Sequence, residues 1–130
     1  MEIKNNTTFM ALSPHNGLSY KYIAPNSADG FTFVCFNSLT GDKTMWETGI
    51  GAKFINQGHG LLTWNMRGQA DSPFSNGEIH EDNIVADAIR LLKKVEPQNP
   101  VFIGLSVGGL YAAKVHLGKE SYPCLGFVLI

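Results

Sequence analysis

Val101-Phe102-Ile103-Gly104-Leu105-Ser106-Val107-Gly108-Gly109-Leu110-Tyr111-Ala112-Ala113 is the stretch on which the fold turns. Val101 to Leu105 is an apolar run of strand length, and Val107 to Leu117 reads as a helix closed by Gly118. One serine separates them. Gly104-Leu105-Ser106-Val107-Gly108 is a G-x-S-x-G pentapeptide, a weak signal alone and a sharper one between a buried strand and a helix. A serine at such a joint is forced into a tight turn that lifts its hydroxyl above the sheet edge. Its flanking glycines are needed where a side chain would strike neighbouring backbone. The helix start then offers the Val107 amide, aided by the helix dipole, to a developing oxyanion. The competing reading is a glycine-rich turn that positions nothing or holds a phosphate. The order of the surrounding elements argues against it.

Outward from that joint, Phe31 to Phe36, Leu61 to Asn65 and Leu125 to Ile130 are also nearly continuous apolar runs. Strands of this kind are covered on both faces, as in parallel sheets. Thr7 to Leu12 and Leu18 to Ile23, split by Ser13-Pro14-His15-Asn16-Gly17, read instead as an antiparallel hairpin. Trp46, Ile50 and Phe54 recur every fourth residue and predict one helical segment. Ile84, Ala88, Leu91, Leu92 and Val95 mark another, with Glu81 and Asp82 in its first turn, Lys93 and Lys94 in its last, and Pro97 beyond. The fold class expected is α/β: an open, mainly parallel sheet with helices on both faces and an N-terminal antiparallel hairpin.

At 130 residues the chain makes one domain, 1–130. Apolar residues at 44% against charged residues at 16% exclude a disordered tail or a coiled coil. A formal charge of -1, with no basic run longer than Lys93-Lys94, lacks the footprint of a nucleic-acid binder. No apolar stretch approaches a membrane span, and Met1 to Asn6 is polar where a signal peptide turns apolar, so a cytoplasmic chain with no membrane partner is expected. Cys35 and Cys124 sit in apolar runs without metal-ligand spacing and are read as buried, reduced thiols. Neither a metal nor an organic cofactor is implied.

Two further segments join the pentapeptide in a resemblance to the α/β-hydrolase family, running from about Leu18 to Ile130. Phe36-Asn37-Ser38-Leu39-Thr40-Gly41, followed by Met45-Trp46, resembles the family's oxyanion segment, usually His-Gly-x-Pro-Gly. Thr63-Trp64-Asn65-Met66-Arg67-Gly68-Gln69-Ala70-Asp71-Ser72 resembles its Asp-x-Arg-Gly-x-Gly-x-Ser loop. Asn37-Ser38 in place of His-Gly is similar to enol-lactone hydrolases, whose motif reads Asn-Ser-Leu-Gly, and favours lactones or small esters. Asn65 replaces the loop's Asp and Ala70 its second Gly, so a different loop shape is expected there. For Arg67 the expectation is a guanidinium tying loops together.

The resemblance implies a serine nucleophile, Ser106, with the Val107 and Leu39 amides as oxyanion donors and a small acyl substrate. It also implies a catalytic acid and a histidine later in the chain than the serine. His116 lies ten residues down the helix, roughly 15 Å along its axis, and is out of reach. His59 should fall at the opposite sheet edge, His15 in the hairpin turn, and His80 at a helix start on the active-site side. Asp42 and Asp71 are read as turn formers. With no triad to assemble, the expectation is the N-terminal part of a serine hydrolase of esters or lactones, about strands 1 to 6, inactive or nearly so by itself. The last apolar run, ending at Ile130, leaves an open alternative: a half-hydrolase or non-catalytic subunit completed by a homodimer or a second chain through that edge. An acyltransferase or a carbon–carbon hydrolase on the same scaffold is a third.

Overall fold

A computed structural model describes residues 8–13, 16–74 and 76–130. Among the described residues six strands form one sheet: β1 (Thr8–Ala11), β2 (Gly17–Ile23), β3 (Thr32–Phe36), β4 (Gly60–Trp64), β5 (Pro100–Gly104) and β6 (Phe127–Leu129). Their order is β1-β2-β4-β3-β5-β6. The hairpin is antiparallel throughout, β2 runs antiparallel to β4, and β4, β3, β5 and β6 are mutually parallel. His15, expected in the hairpin turn, lies outside the described residues.

Helices cover both faces. On one, α3 (Glu81–Val95) and α4 (Val107–Leu117) pack over Leu18, Val34, Phe36, Leu62, Trp64 and Phe102. On the other, α1 (Thr44–Glu47) and α2 (Ile50–Asn56) cover Cys35, Leu61 and Ile103. Alternation along each central strand sends successive side chains to opposite faces, which is why both layers draw on the same strands. The apolar stripe on α3 is buried as its spacing predicts, at Ile84, Ala88, Leu91 and Leu92.

Three expectations need correction. Trp46, Ile50 and Phe54 do not share one helix face: Gly49, at φ -131° and ψ -105°, breaks the segment into α1 and α2, and Ile50 is 41% exposed. The break brings Gly51 against Trp46, where a Cβ would sit 2.5 Å from the Trp46 carbonyl oxygen. The second concerns β6, which is not covered on both faces. Each of its residues is exposed, because one side pairs with β5 and no described residue covers the other. Cys124 is likewise half-buried rather than interior, whereas Cys35 is fully buried; both thiols are free. No helix among the described residues is long and apolar enough to cross a membrane.

Candidate active site

Parallel pairing of β3 and β5, with Phe36 opposite Gly104, brings their carboxyl ends side by side. Asn37-Ser38-Leu39 and Leu105-Ser106-Val107 therefore leave the sheet together, at the edge where ligands bind in open α/β folds. Ser106 is exposed and its backbone is held at φ 55° and ψ -124°, a conformation rare outside glycine. The neighbouring turn pins it. Its amide donates to the Ile130 carbonyl at 2.9 Å, the Leu105 amide to Phe36 at 3.2 Å, and its own carbonyl accepts from Gly109 at 3.0 Å.

Both glycines of the pentapeptide are required by packing. A Cβ on Gly104 would lie 2.5 Å from the Gly109 nitrogen, and one on Gly108 2.2 Å from the Phe36 carbonyl oxygen. The first turn of α4 thus sits directly on the end of β3. The Val107 and Leu39 amides, the two expected donors, have no acceptor among the described residues. Leu39 is 71% exposed.

Under the Leu39 turn lies an amide network that the motif patterns do not announce. Asn37 is fully buried: its Oδ1 accepts from the Trp46 indole at 2.7 Å, and its Nδ2 donates to the Trp64 carbonyl at 2.8 Å and to Gln69 Oε1 at 3.0 Å. Gln69 Oε1 also accepts from the Met66 amide at 3.1 Å, while its Nε2 donates to the carbonyls of Ser38 (2.8 Å) and Leu39 (3.3 Å). Trp46 was legible as an apolar helix position and as a follower of the oxyanion segment, but not as a partner of Asn37, and Gln69 only as a variable place in the loop pattern.

Arg67 has the structural role expected of it. Its guanidinium grips Asp87 on α3 with two bonds, Nε at 2.6 Å and Nη2 at 2.8 Å, donates to the Glu78 carbonyl at 3.0 Å, and lies 4.3 Å over the Phe74 ring. Hydrogen bonding to Asp87 raises its already high pKa further. Asp87, missed from sequence, is a buried carboxylate inside an otherwise apolar stripe, and that position was its signal. Asn65 accepts from the Lys43 amide and donates to Asp71 Oδ1, each at 2.7 Å. An aspartate there would face the Asp71 carboxylate, so Asn65 and Asp71 form a compensated pair. Ala70 keeps a left-handed φ of 42° despite not being glycine.

None of the described histidines is hydrogen-bonded to Ser106. His59 takes the Phe31 amide on Nδ1 at 3.1 Å, at the opposite sheet edge as expected. His116 Nδ1 accepts from the Cys124 amide at 3.3 Å, and its ring stands edge-on to Phe127. His80 is the N-cap residue of α3, with its Nε2 2.8 Å from the side-chain Nδ2 of Asn83. Asp42 accepts from both the amide and the hydroxyl of Thr44, which hold its carboxyl below the usual range. Both aspartates thus take part in turns.

No family model matches the sequence, and no curated protein matches it. Solved structures do. A hydrolase from Pseudomonas aeruginosa PA01 superimposes with a TM-score of 0.76 at 22% identity, over 97% of this chain and 46% of that one. An esterase from Exiguobacterium antarcticum gives 0.80 at 17% identity, over 94% and 44%. The enol-lactonase from Burkholderia xenovorans LB400 gives 0.68 at 23% identity, over 87% and 43%. The chain has the α/β-hydrolase fold, with the six-stranded mixed sheet and N-terminal hairpin read from its sequence. It spans less than half the length of these neighbours.

Proposed function

We propose that this chain is the nucleophile-bearing part of a serine hydrolase acting on a small ester, lactone or related acyl substrate. The observation that carries the reading is Ser106: exposed, strained at φ 55°, and set between β5 and α4 by two glycines that admit no side chain. Ser106 Oγ would attack the acyl carbon, giving its proton to a base. The Val107 and Leu39 amides would receive the oxyanion. Collapse would expel the alkoxide, protonated by the same base, and water would then release the acid and restore the serine. The reading takes the base and its orienting acid from residues other than His59, His80 and His116, whose hydrogen bonds go elsewhere. The Asn37-Ser38-Leu39 segment and the enol-lactonase among the structural neighbours both favour small esters or lactones. The free thiols of Cys35 and Cys124 favour a reducing, cytoplasmic compartment.

Fluorophosphonate labelling with peptide mass spectrometry tests this, on the 130-residue chain and on one continued past Ile130. Label on Ser106 in the continued chain is expected. Its absence from a folded, continued chain overturns the nucleophile. Burst and steady turnover of a p-nitrophenyl ester by the 130 residues alone overturns the expectation that they are inactive or nearly so by themselves.

The exposed β6 supports a second reading, in which the core is completed by another polypeptide, a second copy included. Phe127, Val128, Leu129 and Ile130 are 38, 43, 61 and 64% exposed, an apolar edge that a further strand would cover. Light scattering discriminates. A dimer that dissociates on Leu129→Lys supports this reading, and a stable monomer argues against it.

A further inference from the structure

Gln69 uses the whole bonding capacity of a primary amide, two hydrogens given and two lone pairs filled. Three of the four bonds, to Asn37, Ser38 and Leu39, tie the loop after β4 to the segment after β3, and the fourth, from Met66, braces the loop itself. Its own backbone is fixed as well, because the Gln69 amide donates to Met66 at 2.9 Å and its carbonyl accepts from Ser72 at 2.8 Å. The side chain is therefore an anchored arm whose Nε2 end holds the carbonyls of Ser38 and Leu39. Ser38 O also accepts from the Gly41 amide at 3.3 Å, closing the Ser38–Gly41 turn.

A trans peptide is planar, and its C=O and N–H point in opposite directions. Holding the Ser38 carbonyl against Gln69 thus turns the Leu39 N–H away from Gln69, onto the far side of the same peptide plane. If that plane flipped, the Leu39 amide would face the loop and be lost to any group bound at Ser106. The orientation of the Gln69 amide is itself decided: reversed, its oxygen would face two carbonyl oxygens and its nitrogen two donors. We propose that Gln69, braced by Asn37 and Trp46, is a positioning residue that sets the direction of the Leu39 amide for oxyanion binding. This rests on the reading of Leu39 as an oxyanion donor given above.

Gln69→Glu is the discriminating variant. It keeps both acceptor bonds, to Met66 and Asn37, and replaces the two hydrogens given to Ser38 and Leu39 by a carboxylate oxygen that repels both carbonyls. In ¹H–¹⁵N spectra of the full chain, the Leu39 and Thr40 amides should shift or broaden while Met66 stays in place. Fluorophosphonate labelling of Ser106, in the chain continued past Ile130, should slow about tenfold or more. Gln69→Met, uncharged and of similar length, carries the same readout if the glutamate variant does not fold. An unmoved Leu39 resonance overturns the positioning role. A moved Leu39 with unchanged labelling leaves Gln69 as the device that orients the turn and removes Leu39 from the oxyanion site. If Ser106 is never labelled, even in wild type, the nucleophile reading fails, and the Leu39 resonance still decides the role of Gln69.

Discussion

The carbonyl oxygen of Phe36 lies where a side chain on Gly108 would begin, 2.2 Å from the position of its Cβ. This single clearance lets α4 start against the end of β3, so that the turns after β3 and β5 emerge as neighbours. Gly108→Ala must either push the helix off the sheet or displace Phe36, which is itself wedged between Trp64 and Phe102. The expected loss is about 3 kcal/mol, as for other overpacked interiors. Urea unfolding checks it, through a lower midpoint at unchanged slope.

Strain at Ser106 separates two substitutions that both remove the hydroxyl. Ser106→Ala retains a Cβ in a left-handed conformation, whereas Ser106→Gly removes it. The glycine variant should be the more stable of the two by about 1 kcal/mol, read as the difference in thermal midpoints. Neither should take up a fluorophosphonate at this position. A glycine variant less stable than the alanine one would mean that the backbone there stores no strain.

Asp87 is 3% exposed at its side chain and Arg67 11%. Asp87→Ala leaves a nearly buried guanidinium without its carboxylate and should cost about 3 kcal/mol. Arg67→Met with Asp87→Leu, which removes both charges, should recover most of that loss. A double-mutant cycle in chemical denaturation measures the coupling, and an additive result would reduce the pair to a surface contact.

Burial, and to a lesser degree Glu47 nearby, raises the Cys35 thiol well above its usual 9.0. The folded chain therefore keeps a proton that the unfolded chain releases. Stability contributed this way is complete below pH 9 and declines as pH rises from there toward the raised value. Cys35→Ala should flatten part of this alkaline decline in a plot of stability against pH. Iodoacetamide should modify the half-exposed Cys124 first and reach Cys35 only at the rate of unfolding.

Strand runs, the α3 stripe, the limits of α4 and the serine between Gly104 and Gly108 were all legible because each is a local pattern. Periodicity and turn chemistry act over a few residues, and the order of elements then admits few topologies. Reading failed where a residue's partner lies far along the chain. The break at Gly49 answers to Trp46 and Leu61 packing around Gly51, against the single helix that the four-residue spacing suggested. Asn65 looks like a departure from a motif until Asp71 is seen beside it.

Sequence by itself determined the alternation of strands and helices and the place where a hydroxyl leaves the sheet, since local sterics and hydrophobic spacing suffice for both. Only the tertiary structure decided that Gln69 grips the carbonyls of Ser38 and Leu39 from thirty-one and thirty positions away. Hydrogen-bond partnership depends on distance in space, and spacing along a chain carries no record of it until the sheet has brought its two loops together.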